Sequence, residues 1–276
     1  MRTETWGPAE GRTLLALHGF PQEAARWDGL ARLLASRGVR VIAFDQRGYG
    51  ARPPLDTYGL DAFVGDALAV ADARGLDRFD VAGFGVGAMQ AWTLASRHPE
   101  RVRSLTTIRY PHPAALAHGL RTDPAQAAAW AKLDRFTPPE PAARALLADG
   151  ARGLREFLRE SGMDSALIAR TVARLGSVEA LSGALAWNSV TLDELAAVPK
   201  TTVPTLFFHS AGPALTTSTA SRCADWVTGP FRAVGLAGAG HWILETCPER
   251  LLEPLLARLG VGVFVDDPLD LGQRPA

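Results

Sequence analysis

The sequence predicts an α/β protein: a doubly wound, mostly parallel sheet with a helical cap inserted into it. Three observations carry this expectation. Short continuous apolar runs recur along the chain and end in polar or glycine-bearing turns, as strands buried on both faces require. Stretches with helical spacing separate them, the rhythm of parallel strands joined by crossover helices. One stretch of about 85 residues breaks that rhythm, too long for a single crossover.

The elements follow in order. Thr13–Leu17 is the first apolar run, closed by His18-Gly19, and only about one strand fits before it. Trp27–Arg37 places Leu30, Leu33 and Leu34 on one helical face. Val39–Phe44 is the second run, closed by Asp45-Gln46-Arg47-Gly48. Phe79–Ala82, Val102–Ile108, Thr205–Phe208 and Phe231–Leu236 supply the remaining strands. From Pro113 to Pro199 the chain is rich in Ala, Leu and Arg. Breaks are expected there at Thr137-Pro138-Pro139-Glu140-Pro141 and near Gly162 and Gly183, giving several helices. The expected organisation is a core of residues 1–112 and 200–262, a cap of 113–199, and a loosely held tail of 263–276.

Composition narrows the function. Twenty-nine basic residues balance 29 acidic ones, which leaves no electrostatic footprint for nucleic acid or an anionic membrane. No apolar run approaches the ~18–20 residues of a spanning helix, and Met1–Trp6 lacks a signal-peptide core. Cys223 and Cys247 form no metal-type spacing and fit a reducing cytoplasm. A soluble cytoplasmic protein, monomer or homodimer, is expected.

Residues 83–87 read Gly-Phe-Gly-Val-Gly, between the strand Phe79–Ala82 and a helix-like run from Ala88. A strand, a Gly-x-Nuc-x-Gly turn and a helix expose a nucleophile at the end of a sheet. The middle residue is Gly85, which has no side chain with which to attack. The run is not a dinucleotide fingerprint, because the sixth-position glycine is absent and no acidic residue sits suitably downstream. No motif calls for a metal, flavin or nucleotide, so no cofactor is expected.

Further motifs stand in a fixed order: His18-Gly19-Phe20-Pro21, Asp45-Gln46-Arg47-Gly48-Tyr49-Gly50, the glycine frame Gly83 and Gly87, and Arg97-His98-Pro99-Glu100-Arg101-Val102. Pro111-His112-Pro113, Val203-Pro204-Thr205-Leu206 and Gly240-His241-Trp242 complete the series. Over residues 3–260 the chain resembles the α/β-hydrolase fold family, specifically its epoxide-hydrolase-like and haloalkane-dehalogenase-like branch with a helical cap. The resemblance implies that the family's first strand is missing here.

It also implies a site. His241 matches the family's catalytic histidine, and Gly85 stands where the nucleophile belongs. Pro213, in Ser210-Ala211-Gly212-Pro213, stands where the acid belongs. Ala186-Trp187-Asn188-Ser189 resembles a cap stretch in which a proton-donating Tyr occupies the place of Asn188. Tyr49, Tyr58 and Tyr110 are the only tyrosines, and none lies in the cap. An oxyanion hole of the Phe20 and Val86 amides would survive, since backbone donors do not depend on side chains.

The remaining candidates each have two readings. Arg109 holds a carboxylate or enolate, or makes a surface ion pair. Tyr110 donates a proton, or packs. His209 pairs with His241 or binds the ligand, or merely ends a strand. Trp130, Trp187 and Trp242 wall a pocket, or fill the core. His18, Asp45 and Arg47 read as loop-shaping residues, His112 as a cap hinge, and His98 and His118 as exposed. His241 serves as a general base, or is inherited without use.

Three functions compete. The first is a non-hydrolytic enzyme that cyclises, isomerises or eliminates from an apolar, polyketide-like or terpenoid-like carbonyl substrate, none of which needs a covalent intermediate. High Ala, Gly, Pro and Arg content, typical of GC-rich coding sequence, hints at specialised metabolism. The second is a pseudoenzyme that binds a ligand. The third is a hydrolase whose water is activated by His241 alone.

Overall fold

The computed structural model describes residues 1–50, 57–209 and 214–261. Strands β1 (Thr3–Trp6), β2 (Arg12–Leu17), β3 (Val39–Phe44), β4 (Phe79–Phe84), β5 (Val102–Ile108), β6 (Thr205–His209) and β7 (Phe231–Gly235) form one sheet. Its order is β1-β3-β2-β4-β5-β6-β7. Only β1 on β3 is antiparallel; every other pairing is parallel. One strand precedes β2, as the short leading segment allowed.

Strand alternation builds a core on each face. Leu14, Ala16, Val41, Ala43, Phe84 and Phe208 point to one side, under α1 (Asp28–Ala35) and α12 (Glu249–Leu259). Leu15, Leu17, Ile42, Phe44 and Val81 point to the other, under α2 (Leu60–Ala73) and α3 (Val86–Arg97). Each fully buried Leu or Phe contributes about 1.5–3 kcal/mol. Burial on both faces is why these strands read as unbroken apolar runs.

Parallel register brings the strand ends to one edge. Leu17 pairs with Gly83, Phe84 with Ile108, Ile108 with Phe208, and His209 with Gly235. In such sheets ligands bind beyond this carboxyl edge.

Helices alone occupy the chain between β5 and β6: α4 (Pro113–Thr122), α5 (Pro124–Trp130), α6 (Pro139–Glu160), α7 (Ser165–Leu175), α8 (Val178–Leu185) and α9 (Leu192–Ala196). Breaks fall at Thr137-Pro138 and Gly162, as expected. The expected break at Gly183 does not occur, because α8 runs through it. Gly183 instead lets the helix press on the loop after β3: a Cβ there would lie 2.8 Å from the Gly48 carbonyl oxygen. The break lies at Gly176-Ser177, where the Ser177 hydroxyl accepts from the Ala180 amide and caps α8. A second unforeseen kink interrupts α6 at Ala148–Ala151. Leu154, Leu158, Ile168, Leu175, Leu181 and Leu185 join these helices in an apolar core that also takes in Phe20 and Trp242. The expected tail of 263–276 lies outside the described residues.

Three short helices complete the fold after β6: α10 (Thr217–Ser221), α11 (Ile243–Thr246) and α12. No described helix is long and apolar enough to cross a membrane.

Candidate active site

The turn between β4 and α3 is set by glycine at three positions. A Cβ on Gly83 would sit 2.2 Å from the Gly87 carbonyl oxygen, and one on Gly87 would sit 2.3 Å from that of Leu17. Both are therefore required by close approach. Gly85 differs. Its φ of 55° and ψ of −124° disfavour a side chain, yet a Cβ there would meet only Gly19 Cα, at 3.7 Å. Backbone strain weighs against a larger residue, and space does not. The Gly85 amide donates to the Ile108 carbonyl (3.0 Å), and its carbonyl accepts from Ala88 (2.8 Å).

Gly85 forms part of a cavity of about 310 Å³ at the carboxyl edge of the sheet. The sheet side supplies Phe20, Phe84, Val86, Arg109, Tyr110, His241 and Trp242. The helical segment supplies Trp130, Leu133, Phe136, Phe157 and Trp187. Phe136 meets Phe20 at 5.6 Å between ring centroids and Phe157 edge-on at 5.0 Å. The lining is thus mostly aromatic, with few polar groups.

Several of those polar groups have no partner among the described residues. The Phe20 and Val86 amides bond to no described residue. Val86 opens α3, so its N–H has no acceptor within the helix. His241 stands edge-on to Phe84 and to Trp242, and its ring nitrogens bond to no described residue. Burial, and then the nearby Arg109 cation, lower its pKa to about 4, so the imidazole is neutral near pH 7. The Tyr110 hydroxyl also has no described partner; its ring meets Trp130 edge-on, and burial pushes its pKa up.

Arg109 does not make the surface ion pair that was its alternative reading. It directly follows β5, with a φ of 62°. Its Nη2 donates to the carbonyls of Ala239 (2.8 Å) and Gly240 (2.5 Å), anchoring the loop that presents His241. Its Nε is buried and has no partner among the described residues.

Two expected pocket residues lie elsewhere. His209 does not line the cavity; its ring packs on Phe207, because the last position of β6 faces that side of the sheet. Asn188 donates to the Leu185 carbonyl (3.0 Å) and lines a second cavity, of about 210 Å³. Tyr110, Trp130 and Trp187 border both cavities. Trp242 lines the main one and donates to the Ser161 hydroxyl (3.1 Å). Pro213 lies outside the described residues.

The loop-shaping residues are fully engaged. His18 bonds the Gly19 carbonyl through Nδ1 (2.9 Å) and accepts from the Gln46 amide at Nε2 (3.0 Å). Asp45 accepts from the Ala24 amide (2.9 Å) and from Arg174 of α7 (2.6 Å). Arg47 makes a two-pronged pair with Asp66, both contacts at 2.8 Å. His112 caps α4 by accepting from the Ala114 amide (3.1 Å), and its other nitrogen bonds the Pro199 carbonyl (3.1 Å). It therefore ties together the two ends of the helical segment. His118 is exposed, and His98 faces Glu100 at the surface (3.5 Å).

The sequence reading missed Phe136, Phe157 and Glu160. A signal existed: Phe157 and Glu160 at the end of α6, with Ser161 as its C-cap, fall at helical spacing. Among the described residues no group of three His, Cys, Asp or Glu could hold a metal ion.

A family model described as the alpha/beta hydrolase fold matches residues 12–246. Epoxide hydrolase A of Mycobacterium tuberculosis (strain ATCC 25618 / H37Rv) is 28% identical over 305 aligned residues, covering 93% of this chain and 92% of that protein. Epoxide hydrolase B of the same strain is 37% identical over 105 residues, 37% of this chain and 30% of that protein. Among solved structures, an epoxide hydrolase from a hot-environment metagenome superposes with a TM-score of 0.82 at 24% identity, covering 95% of this chain and 94% of that one. A Bacillus megaterium epoxide hydrolase in complex with an inhibitor superposes at 0.81 and 22% identity, covering 94% and 96%.

Proposed function

Because this chain belongs to the α/β-hydrolase fold family, with epoxide hydrolases among its relatives, we propose that it is a non-hydrolytic enzyme acting on an apolar carbonyl compound. One observation carries this reading. Gly85 offers no nucleophile at the elbow, while two free amides and a neutral imidazole remain around an aromatic cavity.

The chemistry follows from those groups. The substrate carbonyl oxygen lies against the Phe20 and Val86 amides. A His241 ring nitrogen takes a proton from the carbon beside the carbonyl. The C–H electron pair becomes the enolate double bond, and the negative charge moves onto the oxygen held by the amides. Returning the proton at another carbon isomerises the substrate. Attack of the enolate on an internal electrophile closes a ring, and loss of a β-leaving group eliminates. The aromatic walls hold the reacting ends in register.

A second reading is a ligand-binding protein without turnover. It draws on the low proton affinity of His241, about 4, and on the lack of a described partner to orient the ring. The two readings divide on one experiment: deletion of the gene, then restoration with wild type or His241→Ala, followed by metabolite comparison. The enzyme reading expects an accumulating compound that wild type consumes and His241→Ala does not. Full restoration by His241→Ala removes the imidazole from the chemistry.

Gly85→Asp tests the elbow directly. The new carboxylate oxygen would attack an epoxide carbon of a glycidyl ether, the ring C–O bond would break, and the alkoxide would take a proton from water. With no described carboxylate paired to His241, hydrolysis of the resulting ester should stall. Mass spectrometry should then show the protein heavier by one epoxide molecule, while wild type stays unmodified. Hydrolysis of the same epoxide by wild type would overturn the non-hydrolytic reading.

A further inference from the structure

Arg109 is a cation in a predominantly aromatic cavity, and no described carboxylate lies within salt-bridge distance of it. Placing a charge away from water is unfavourable unless an opposite charge meets it. The carbonyls of Ala239 and Gly240 engage Nη2 alone. Nε is buried and unpartnered, and Nη1 bonds to no described residue. The segment after β6, Ser210-Ala211-Gly212-Pro213, contains no acid in its sequence.

The backbone supports the same conclusion. Arg109 is one of three described non-glycine residues with positive φ, and it alone of the three lines the cavity. Such a conformation costs of order 1–3 kcal/mol and persists where surrounding structure imposes it. Here it falls on the residue that directly follows β5, whose side chain lines the cavity.

We propose that the ligand of this cavity is a carboxylate on an apolar body, and that its anionic group pairs with the Arg109 guanidinium beside His241. This deepens the reading of the cavity as the working site and rests on it. Nη1, which bonds to no described residue and is not among the buried atoms, is the nitrogen left to donate to an anion, in a charge-assisted hydrogen bond. The aromatic walls take the apolar body, and the Phe20 and Val86 amides remain for a second oxygen. The bound anion supplies the counter-charge that the described chain does not place against Arg109. Glu160 is the one acidic side chain among the described residues of the lining, and it disfavours anions bound away from Arg109.

Calorimetric titration tests this with three probes: 4-phenylbutanoate, its methyl ester, and 4-phenylbutan-1-ol, at a pH where the acid is ionised. Wild type should bind the acid at least about tenfold more tightly than the ester. Arg109→Met should bring that ratio to about one, and Arg109→Lys should leave a ratio between the two. The wild-type comparison needs no variant, so misfolding of Arg109→Met cannot shield the proposal. Ester binding equal to or better than acid binding overturns it and leaves the apolar-cavity reading standing. A preference that survives in Arg109→Met also overturns it. Failure of all three probes to bind overturns both readings.

Discussion

His112, at the base of the helical segment, and His241, on the cavity wall, share a proton affinity depressed by burial, to about 3 and about 4. They differ in their partners. His112 engages both ring nitrogens and stacks on Trp226 with planes 11° apart. His241 engages neither nitrogen with a described residue. Depressed basicity therefore does not separate a structural histidine from a functional one, whereas the state of the two nitrogens does. Around His112 the protein completes its own hydrogen bonds. Around His241 the ring's own nitrogens, the Phe20 and Val86 amides and the Tyr110 hydroxyl have no described partner.

The sharpest way to break this contrast is truncation. His112→Ala removes a helix cap worth about 1 kcal/mol, a second hydrogen bond worth about 1 kcal/mol, and a buried ring. A total loss of about 3 kcal/mol is expected from urea unfolding. His241→Ala removes a ring with no described hydrogen bond, and should cost about 1 kcal/mol or less. Equal losses would show that His241 is as structural as His112.

A second test uses charge. Arg109 is the second cause, after burial, of the lowered His241 pKa. Arg109→Met should move the His241 midpoint up from about 4 toward the ordinary 6.5, part of the way, because burial remains. The His112 midpoint should not move, since burial and the Pro199 carbonyl set it. Imidazole C2 proton shifts during an NMR titration report both. The sign carries into stability. A histidine whose folded pKa lies below its unfolded value adds stability above the unfolded value, and that stability is lost as pH falls through the folded one. For His241 the loss runs from about pH 6.5 down to about 4, and Arg109→Met should shrink it.

The same contrast explains what the sequence disclosed. Strands buried on two faces announce themselves as apolar runs, so β3 and β5 were legible to their end residues. The elbow was legible because close backbone approach admits only glycine at Gly83 and Gly87. Side-chain direction was not legible. His209 ends its strand as expected, but strand parity turns it from the cavity. Gly183 looked like a helix break because glycine disrupts helices, yet contact with Gly48 requires it inside one. Arg109 was placed correctly in sequence, and its grip on the Ala239 and Gly240 carbonyls depends on a loop 130 residues away.

The smallest effect concerns the partition between the two cavities. Trp187 borders both, and its indole Nε1 is buried with no partner among the described residues. The ring therefore contributes area and shape to the wall with no hydrogen bond to hold it. Trp187→Leu should join the spaces of about 310 and 210 Å³ by removing part of that wall. For two methyl arylalkanoates differing by a few methylenes, the longer should gain about threefold in affinity relative to the shorter. That is below the ~10–200-fold that one methylene commands in a tightly fitted pocket, because the new space is shared with Tyr110 and Trp130. An unchanged affinity ratio would mean that these two rings alone keep the cavities apart, and that Trp187 belongs to the packed side of the contrast.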